Sequence, residues 1–315
     1  MRALLVMNPK ATATSERGRD VLSQALSAEM DTTIGETKYR GHAAELARAA
    51  TGDGYDLVVA LGGDGTVNEV VNGILTAARP LDAAGDPRPL PDLGVVPGGS
   101  TNVFARALGL PNDPVEATGV LLDAIRAGRR RPVSMGLADD RYFTFCAGYG
   151  FDAAVVGRVE QQRVAGRKST GGLYIRSAVG VFMRGMDRKT APIAMTLADG
   201  TEIPGMFMSI VTNTSPWTYL GGRPITPTPQ ASFETGLDLF GVTRMKVWPA
   251  LQVVRRMVNG SERLGRARSV TVQHDLSEFT LTAVVPTDFQ LDGDHLGLRE
   301  SVTFRAIRDA LRVAM

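Results

Sequence analysis

Along the first 130 residues, short apolar runs alternate with segments whose apolar residues recur every three or four positions. Ala3 to Met7 is such a run and ends at Asn8-Pro9, where proline stops a strand ladder. Val21, Leu22, Ala25 and Leu26 predict a helix, residues 32–37 a strand and residues 42–50 a second helix. Asp56 to Leu61 reads as a buried strand with the β-branched Val58 and Val59, after which Val67, Val70, Val71 and Ile74 return to helical spacing. Residues 79–91 are a Pro-rich surface loop, and residues 93–96 and 114–127 continue the alternation as strand and helix. This is the pattern of a doubly wound parallel sheet covered on both faces, so the first domain is expected to be α/β.

The pattern changes at Gly128-Arg-Arg-Arg-Pro132. Strand-like runs then dominate, at 132–137, 141–147, 192–197, 205–212, 237–242, 269–273 and 279–284. Runs of strands after a βα alternation predict a second, mainly antiparallel β domain, with the boundary near Ser134.

Gly62, Gly63, Asp64, Gly65 and Thr66 fall at the strand-to-helix junction. Glycines let the backbone approach a ligand closely, and the first N–H groups of the following helix favour an anion, so the turn reads as a phosphate cradle. No Lys-Ser/Thr pair follows, which excludes a P-loop, and the spacing is not that of a dinucleotide fingerprint. A tight βα connection with no ligand is the alternative. Asp64 would be repelled by phosphates unless a divalent cation lay between them or it contacted hydroxyls. Pro97-Gly-Gly-Ser-Thr-Asn102 repeats the arrangement, and Asn102 also suits a helix cap. Asn8 and Thr37 lie at strand ends, the edge where open parallel sheets bind ligands, or serve only as turn residues.

The chain has 315 residues, 43% hydrophobic and 22% charged, enough for two ordinary cores and unlike a disordered or fibrous sequence. A formal net charge of +2 argues against a general nucleic-acid binder. The single cysteine, Cys146, lies in an apolar strand and reads as a core thiol, which fits a reducing compartment. The first apolar run is too short for a signal peptide and no stretch reaches eighteen apolar residues, so a cytoplasmic protein, at most peripherally membrane-associated, is expected. Between Arg158 and Lys189 basic residues outnumber acidic ones, with Ile175, Ala178, Val179, Phe182 and Met186 on one helical face and Arg176, Arg184 and Arg188 on another. That amphipathic pattern suits an anionic membrane surface, or a helix packed on the β domain with solvated arginines. His42, His274 and His295 show no metal-ligand or triad spacing and read as incidental, His295 being a candidate neighbour of the active site.

The string Gly62-Gly-Asp-Gly-Thr-Val-Asn-Glu-Val-Val-Asn-Gly73 resembles the nucleotide-binding motif of the diacylglycerol kinase catalytic domain family, which includes sphingosine, ceramide and bacterial lipid kinases. NAD kinases and phosphofructokinases share the Gly-Gly-Asp-Gly core, and Asn68-Glu69 with Asn72-Gly73 looks like the lipid branch. Pro97 to Arg106 resembles the family's second turn, with Ser100 for Thr and Val103 for Asp. Ala147-Gly-Tyr-Gly-Phe-Asp-Ala153 resembles the family stretch whose Asp, here Asp152, supports a metal-centred network; Asp152 also suits the N-cap of the helix that follows. Gln230 to Leu239 resembles a stretch that binds structural Mg²⁺; Ser232 is kept, Leu237 could offer its carbonyl, and Thr235 replaces the Asp, which weakens a hard-cation site unless Glu234 substitutes. Gln290-Leu-Asp-Gly-Asp294 resembles the family's Gln-x-Asp-Gly-Glu, whose acidic residues work at the active site; a solvated hairpin turn of the Asp-Gly type is the alternative.

The resemblance implies a fold like that of NAD and diacylglycerol kinases, with domains at 1–134 and 135–304 and the end, 305–315, returning to the first. It implies an ATP- and Mg²⁺-dependent lipid kinase that converts diacylglycerol to phosphatidic acid at a membrane surface. Asn8, Thr37, Gly62, Gly63, Asp64, Gly65, Thr66, Val67, Asn68, Glu69, Gly99, Ser100 and Asn102 would bind nucleotide. Asp294 would be the base, with Asp292 beside it as turn-former or electrostatic neighbour, and Asp152, Ser232, Thr235 and Leu237 would serve the metal. A kinase for a soluble acceptor and a non-catalytic nucleotide-binding regulator are the alternatives. The lipid's identity and a homodimer are left open.

Overall fold

The computed structural model describes residues 1–9, 16–79, 81, 86–164, 171–184, 191–220, 222–259 and 267–315. The chain divides into two units, one comprising Met1–Ser134 with Arg308–Met315, the other Met135–Ile307.

The first unit alternates β1 (Arg2–Met7), α1 (Glu16–Glu29), β2 (Asp31–Glu36), α2 (His42–Gly52), β3 (Leu57–Gly62), α3 (Asp64–Leu75), β4 (Asp92–Pro97), α4 (Val103–Ala107) and α5 (Pro114–Ala127). The strands pair in parallel in the order β2-β1-β3-β4. Val313 near the chain end adds a further parallel partner beside Leu93. β1, β3 and β4 are almost wholly buried, which is why they read as unbroken apolar runs. Leu5, Leu22, Leu26, Leu57, Leu61 and Leu121 meet in the core of this unit. The order of strands reverses between β1 and β3, and the carboxyl ends of such a pair form the crevice where open α/β sheets take their ligands.

The second unit begins within β5 (Arg130–Ala138) and continues through β6 (Arg141–Phe143), β7 (Cys146–Gly150), α6 (Phe151–Val164), α7 (Gly171–Arg184), β8 (Ile193–Leu197), β9 (Glu202–Met206) and β10 (Met208–Thr212). There follow β11 (Thr218–Leu220), β12 (Arg223–Ile225), β13 (Leu237–Val242), α8 (Val247–Val258), β14 (Val270–Leu276), β15 (Glu278–Leu291) and β16 (Asp294–Ala314), whose last residues belong to the first unit. The ladder β14-β13-β10-β7-β15-β16 is antiparallel throughout. Tyr149, Phe279, Phe289 and Phe304 centre its core.

Two predicted strands are each broken in two. The run 141–147 stops at Thr144-Phe145, whose backbone N–H groups turn onto the carboxylate of Asp292 rather than onto a neighbouring strand. The run 205–212 is interrupted at Phe207, which separates β9 from β10. The amphipathic reading of 158–189 also changes. Phe182 packs edge-to-face on Phe151 with 6.4 Å between ring centroids, whereas Val179, assigned to the same face, is exposed. Arg167, Lys168, Met186, Arg188 and Lys189 lie outside the described residues.

Candidate active site

The Gly-rich turn closes β3 and opens α3, with Gly63 in the N-cap position in extended conformation. It lies against the second turn so closely that a Cβ added to Gly99 would come within 2.7 Å of the Gly63 Cα. Packing between the two turns therefore requires glycine at 99, and a Cβ on Gly63 would lie 3.3 Å from the Gly99 Cα. Gly65 differs. It is exposed, its φ is ordinary, and a Cβ placed there would meet nothing within 4 Å. Neither backbone strain nor packing demands a glycine at this position, while the first turn of α3 directs backbone N–H groups outward. The arrangement fits phosphate oxygens at the carboxyl ends of β1 and β3. At the end of β1, the Asn8 amide donates to the Thr66 hydroxyl at 3.3 Å and the Asn8 N–H donates to the Leu61 carbonyl at 3.1 Å. The Thr37 N–H donates to the Met7 carbonyl at 2.9 Å, which holds residue 37 at the same sheet edge.

Several residues assigned to nucleotide by motif have protein partners. The Asp64 carboxylate accepts from the backbone N–H groups of Val103 and Phe104 at 3.0 and 3.1 Å, and so ties the start of α4 to the first turn. The Asp64 charge is thereby directed at the start of α4. The structure also shows why residue 103 can be valine, since its backbone N–H serves Asp64 while its side chain is buried. Glu69 accepts from the N–H groups of Gly41 and Ala43 at 2.8 and 3.1 Å, supplying α2 with the cap its own Gly41 lacks. Asn68 is buried and accepts from Asn72, and Val67 is buried. Asn102 has the left-handed φ of 51° and does not cap α4 with its side chain; its amide instead closes the turn by bonding both the N–H and the carbonyl of Gly99. Ser100 is exposed beside it.

In the second unit, Asp292 and Gly293 form the two-residue turn between β15 and β16, both at positive φ (47° and 85°), the signature of a type I′ hairpin. The turn is not a solvated one. Asp292 is buried, and its carboxylate accepts from Thr144 N–H (2.7 Å), Thr144 Oγ1 (2.8 Å), Phe145 N–H (3.0 Å) and Cys146 N–H (3.0 Å). Burial pushes its carboxyl above the usual aspartate range, and the hydrogen bonds oppose that shift. Asp294 is two residues on and partly exposed, with 29% of its side chain accessible and the Arg141 guanidinium 3.5 Å from its Oδ2. Of the pair, Asp294 presents a carboxylate to solvent while Asp292 is committed to the fold. Asp292→Asn, which keeps a residue tolerant of this φ, should lower unfolding stability by about 2–4 kcal/mol through lost charge-assisted hydrogen bonds, as urea titration would measure.

Asp152 stands in the first turn of α6 and accepts from Gln290 Nε2 at 3.0 Å, and Gln290 also accepts the Gly293 N–H at 2.9 Å. Burial raises the Asp152 carboxyl to about 6, against the hydrogen bond from Gln290. From the unfolded value of 3.8 up to about 6 the folded state binds more protons than the unfolded one, so this group's contribution to stability falls as pH rises through that window and levels off above it. Asp152→Asn should gain on the parent by on the order of 3 kcal/mol between about pH 4 and about pH 7, measured by paired urea titrations. Cys146 is a buried thiol whose pKa burial raises strongly, which suits a core residue.

Ser232, Thr235 and Leu237 bring no carboxylate to the place the resemblance assigns to Mg²⁺. The Thr235 hydroxyl donates to the Ser232 carbonyl at 3.1 Å and accepts the Ser232 N–H at 3.3 Å, so the side chain at 235 closes its own turn. None of the three supplies an anionic oxygen. Glu234 is exposed, and among the described residues no group of three His, Cys, Asp or Glu could hold a metal ion. Of the histidines, His42 accepts the Lys38 N–H, His274 pairs with Asp238 at 2.7 Å and His295 with Asp288 at 2.7 Å. Thr144, Arg141 and Gln290 are parts of the site that residue type and spacing did not single out, although Gln290 begins the motif that contains Asp292 and Asp294.

The fold is NAD kinase-like, with a doubly wound parallel-sheet unit and an antiparallel β unit in one chain. Residues 2–138, most of the first unit, match the family described as Diacylglycerol kinase catalytic domain. The chain is 38% identical over 153 residues to a diacylglycerol kinase of Bacillus subtilis (strain 168), a match covering 47% of this chain and 46% of that protein. A diacylglycerol kinase of Staphylococcus aureus (strain bovine RF122 / ET3-1) is 39% identical over 153 residues, covering 47% of this chain and 44% of that protein. The matched stretch thus spans less than half the length of these relatives. A crystal structure of a diacylglycerol kinase from Bacillus anthracis str. Sterne superimposes with a TM-score of 0.70 at 20% identity, covering 99% of this chain and 96% of that one. A second structure from the same organism gives 0.74 at 22% identity, covering 99% and 94%. These two likenesses establish the fold. No helix among the described residues is long and apolar enough to cross a membrane.

Proposed function

We propose that the protein is an ATP-dependent lipid kinase that transfers the γ-phosphoryl group to the hydroxyl of diacylglycerol, giving phosphatidic acid. The observation that carries this is the open space at Gly65 on a turn whose Gly62 and Gly63 are crowded by Thr66 and Gly99, within a stretch that matches the Diacylglycerol kinase catalytic domain family. Phosphoryl transfer asks of a protein mainly positioning and charge neutralisation. Gly62 to Thr66 and the N-terminus of α3 receive the phosphates, with Asn8, Thr37, Gly99 and Ser100 around them. Asp64, Asn68, Glu69 and Asn102 act indirectly, by fixing the turns and the helix starts that face the nucleotide. A Mg²⁺ ion carried on the phosphates would supply charge neutralisation. Asp294 takes the proton of the acceptor hydroxyl, and Asp292 and Asp152 hold the turn that bears it. The acceptor is met at an anionic membrane surface, peripherally.

Incubation with ATP labelled in its γ-phosphate, offered a panel of lipids alongside soluble acceptors, tests the reading. Label that partitions with diacylglycerol supports it. Label on a soluble acceptor would assign the protein to the NAD kinase manner of reaction, and nucleotide binding with no transfer to any acceptor would make it a regulator.

A further inference from the structure

α8 carries an apolar surface that faces outward. Val247, Trp248, Leu251 and Val254 are 52%, 75%, 56% and 56% exposed, while Val253 and Met257 on the opposite side are buried in the core of the second unit. At 3.6 residues per turn the four exposed side chains share one face of a helix about 18 Å long. Exposed Arg244, Lys246 and Arg255 border that face, and no carboxylate occurs from Thr243 to Asn259. α8 packs against β12, where exposed Leu220 and Arg223, paired across the β11–β12 hairpin, repeat the combination of apolar and basic.

We infer that this face of α8 docks on an anionic lipid bilayer. Exposed apolar side chains cost free energy in water and gain it in the acyl boundary, tryptophan favours the interfacial zone, and flanking arginine and lysine are attracted to anionic headgroups. The charges argue against a second copy of this chain as the occupant, because two such faces apposed would bring basic rims together with no acid on the helix to meet them. The surface deepens the lipid-kinase reading by naming how an acyl-chain substrate is reached, and in that respect rests on it.

Purified full-length protein is mixed with vesicles of phosphatidylcholine, with and without phosphatidylglycerol. Partition should require phosphatidylglycerol and weaken with salt, and Trp248 emission, taken as the difference between the parent and Trp248→Ala, should shift to the blue. Replacing Trp248, Leu251 and Val254 by alanine should weaken partition about tenfold or more with the melting temperature held, and Arg244→Gln with Lys246→Gln and Arg255→Gln should abolish the preference for phosphatidylglycerol. Partition of the alanine variant equal to that of the parent overturns the inference, as does a concentration-dependent dimer that the alanine variant loses. Partition uses no ATP, so a protein that docks as described and transfers phosphate to no lipid loses the kinase reading and keeps the docking face. One that phosphorylates lipid while the alanine variant partitions normally does the reverse.

Discussion

Asp294→Asn should cut turnover by about a hundredfold or more while ATP affinity and melting temperature hold. A lipid hydroxyl is a poor nucleophile at neutral pH, and a carboxylate within hydrogen-bond reach that takes its proton contributes about 10²- to 10⁴-fold. The structure supplies a physical reason to choose between the two aspartates of the turn. Asp292 is buried with its oxygens engaged by three backbone N–H groups and one hydroxyl, a geometry that holds a carboxylate in place and leaves it no room to approach a substrate. Asp294 is accessible and faces the Arg141 guanidinium at 3.5 Å. The asparagine preserves the shape of the side chain and removes the base. Steady-state kinetics with the two asparagine variants side by side separate the roles. Loss at 294 with stability kept, and loss of stability at 292, is the expected pair. Near-normal turnover of Asp294→Asn would remove the base assigned here, and if Asp292→Asn lost turnover without unfolding, the roles would be exchanged.

Gly65→Ala should abolish measurable nucleotide binding while leaving the fold intact. Gly65 differs from the neighbouring glycines in what surrounds it. A Cβ at Gly62 would come within 2.5 Å of the Thr66 hydroxyl, and at Gly99 within 2.7 Å of the Gly63 Cα, so substitutions there damage the turn itself. At Gly65 the protein leaves space and the backbone is in ordinary helical conformation, so alanine, a better helix former than glycine, should if anything stabilise the free protein by about 0.5–1 kcal/mol. The added methyl would occupy the place that the proposed function gives to phosphate oxygens at the N-terminus of α3. Calorimetric titration with ATP, together with a melting curve, reads both halves of this expectation. Unchanged affinity would mean that the open space serves no phosphate.

Much of the first unit was legible because its signals are local. β3 and the periodic valines of α3 lie within twenty residues of one another, and a buried parallel strand has no polar face to blur its apolar run. The chemistry assigned to individual motif residues was less legible, since their partners come from elsewhere in the chain. Asp64 bonds N–H groups 39 and 40 positions away, Glu69 bonds residues 26 and 28 positions away, and Asp292 reaches 146–148 positions back to residues 144–146. A motif read alone shows a cluster of polar groups near a presumed phosphate; only the folded chain shows that several of them hold turns and helix ends. The same cause split the predicted strand at Thr144-Phe145, because periodicity carries no sign of backbone donors diverted to a distant carboxylate. The outward apolar face of α8 escaped a sequence reading for a related reason. Its valines and leucine have helical spacing on both sides, and which side meets the core is decided by tertiary packing.

The reading as a lipid kinase is tested most directly by product analysis of the wild-type protein with ATP, Mg²⁺ and diacylglycerol-containing vesicles. The account predicts phosphatidic acid and ADP formed in equal amounts, both dependent on diacylglycerol and both lost in Asp294→Asn. ATP bound at the Gly-rich turn with no ADP and no phosphatidic acid formed from diacylglycerol would contradict it.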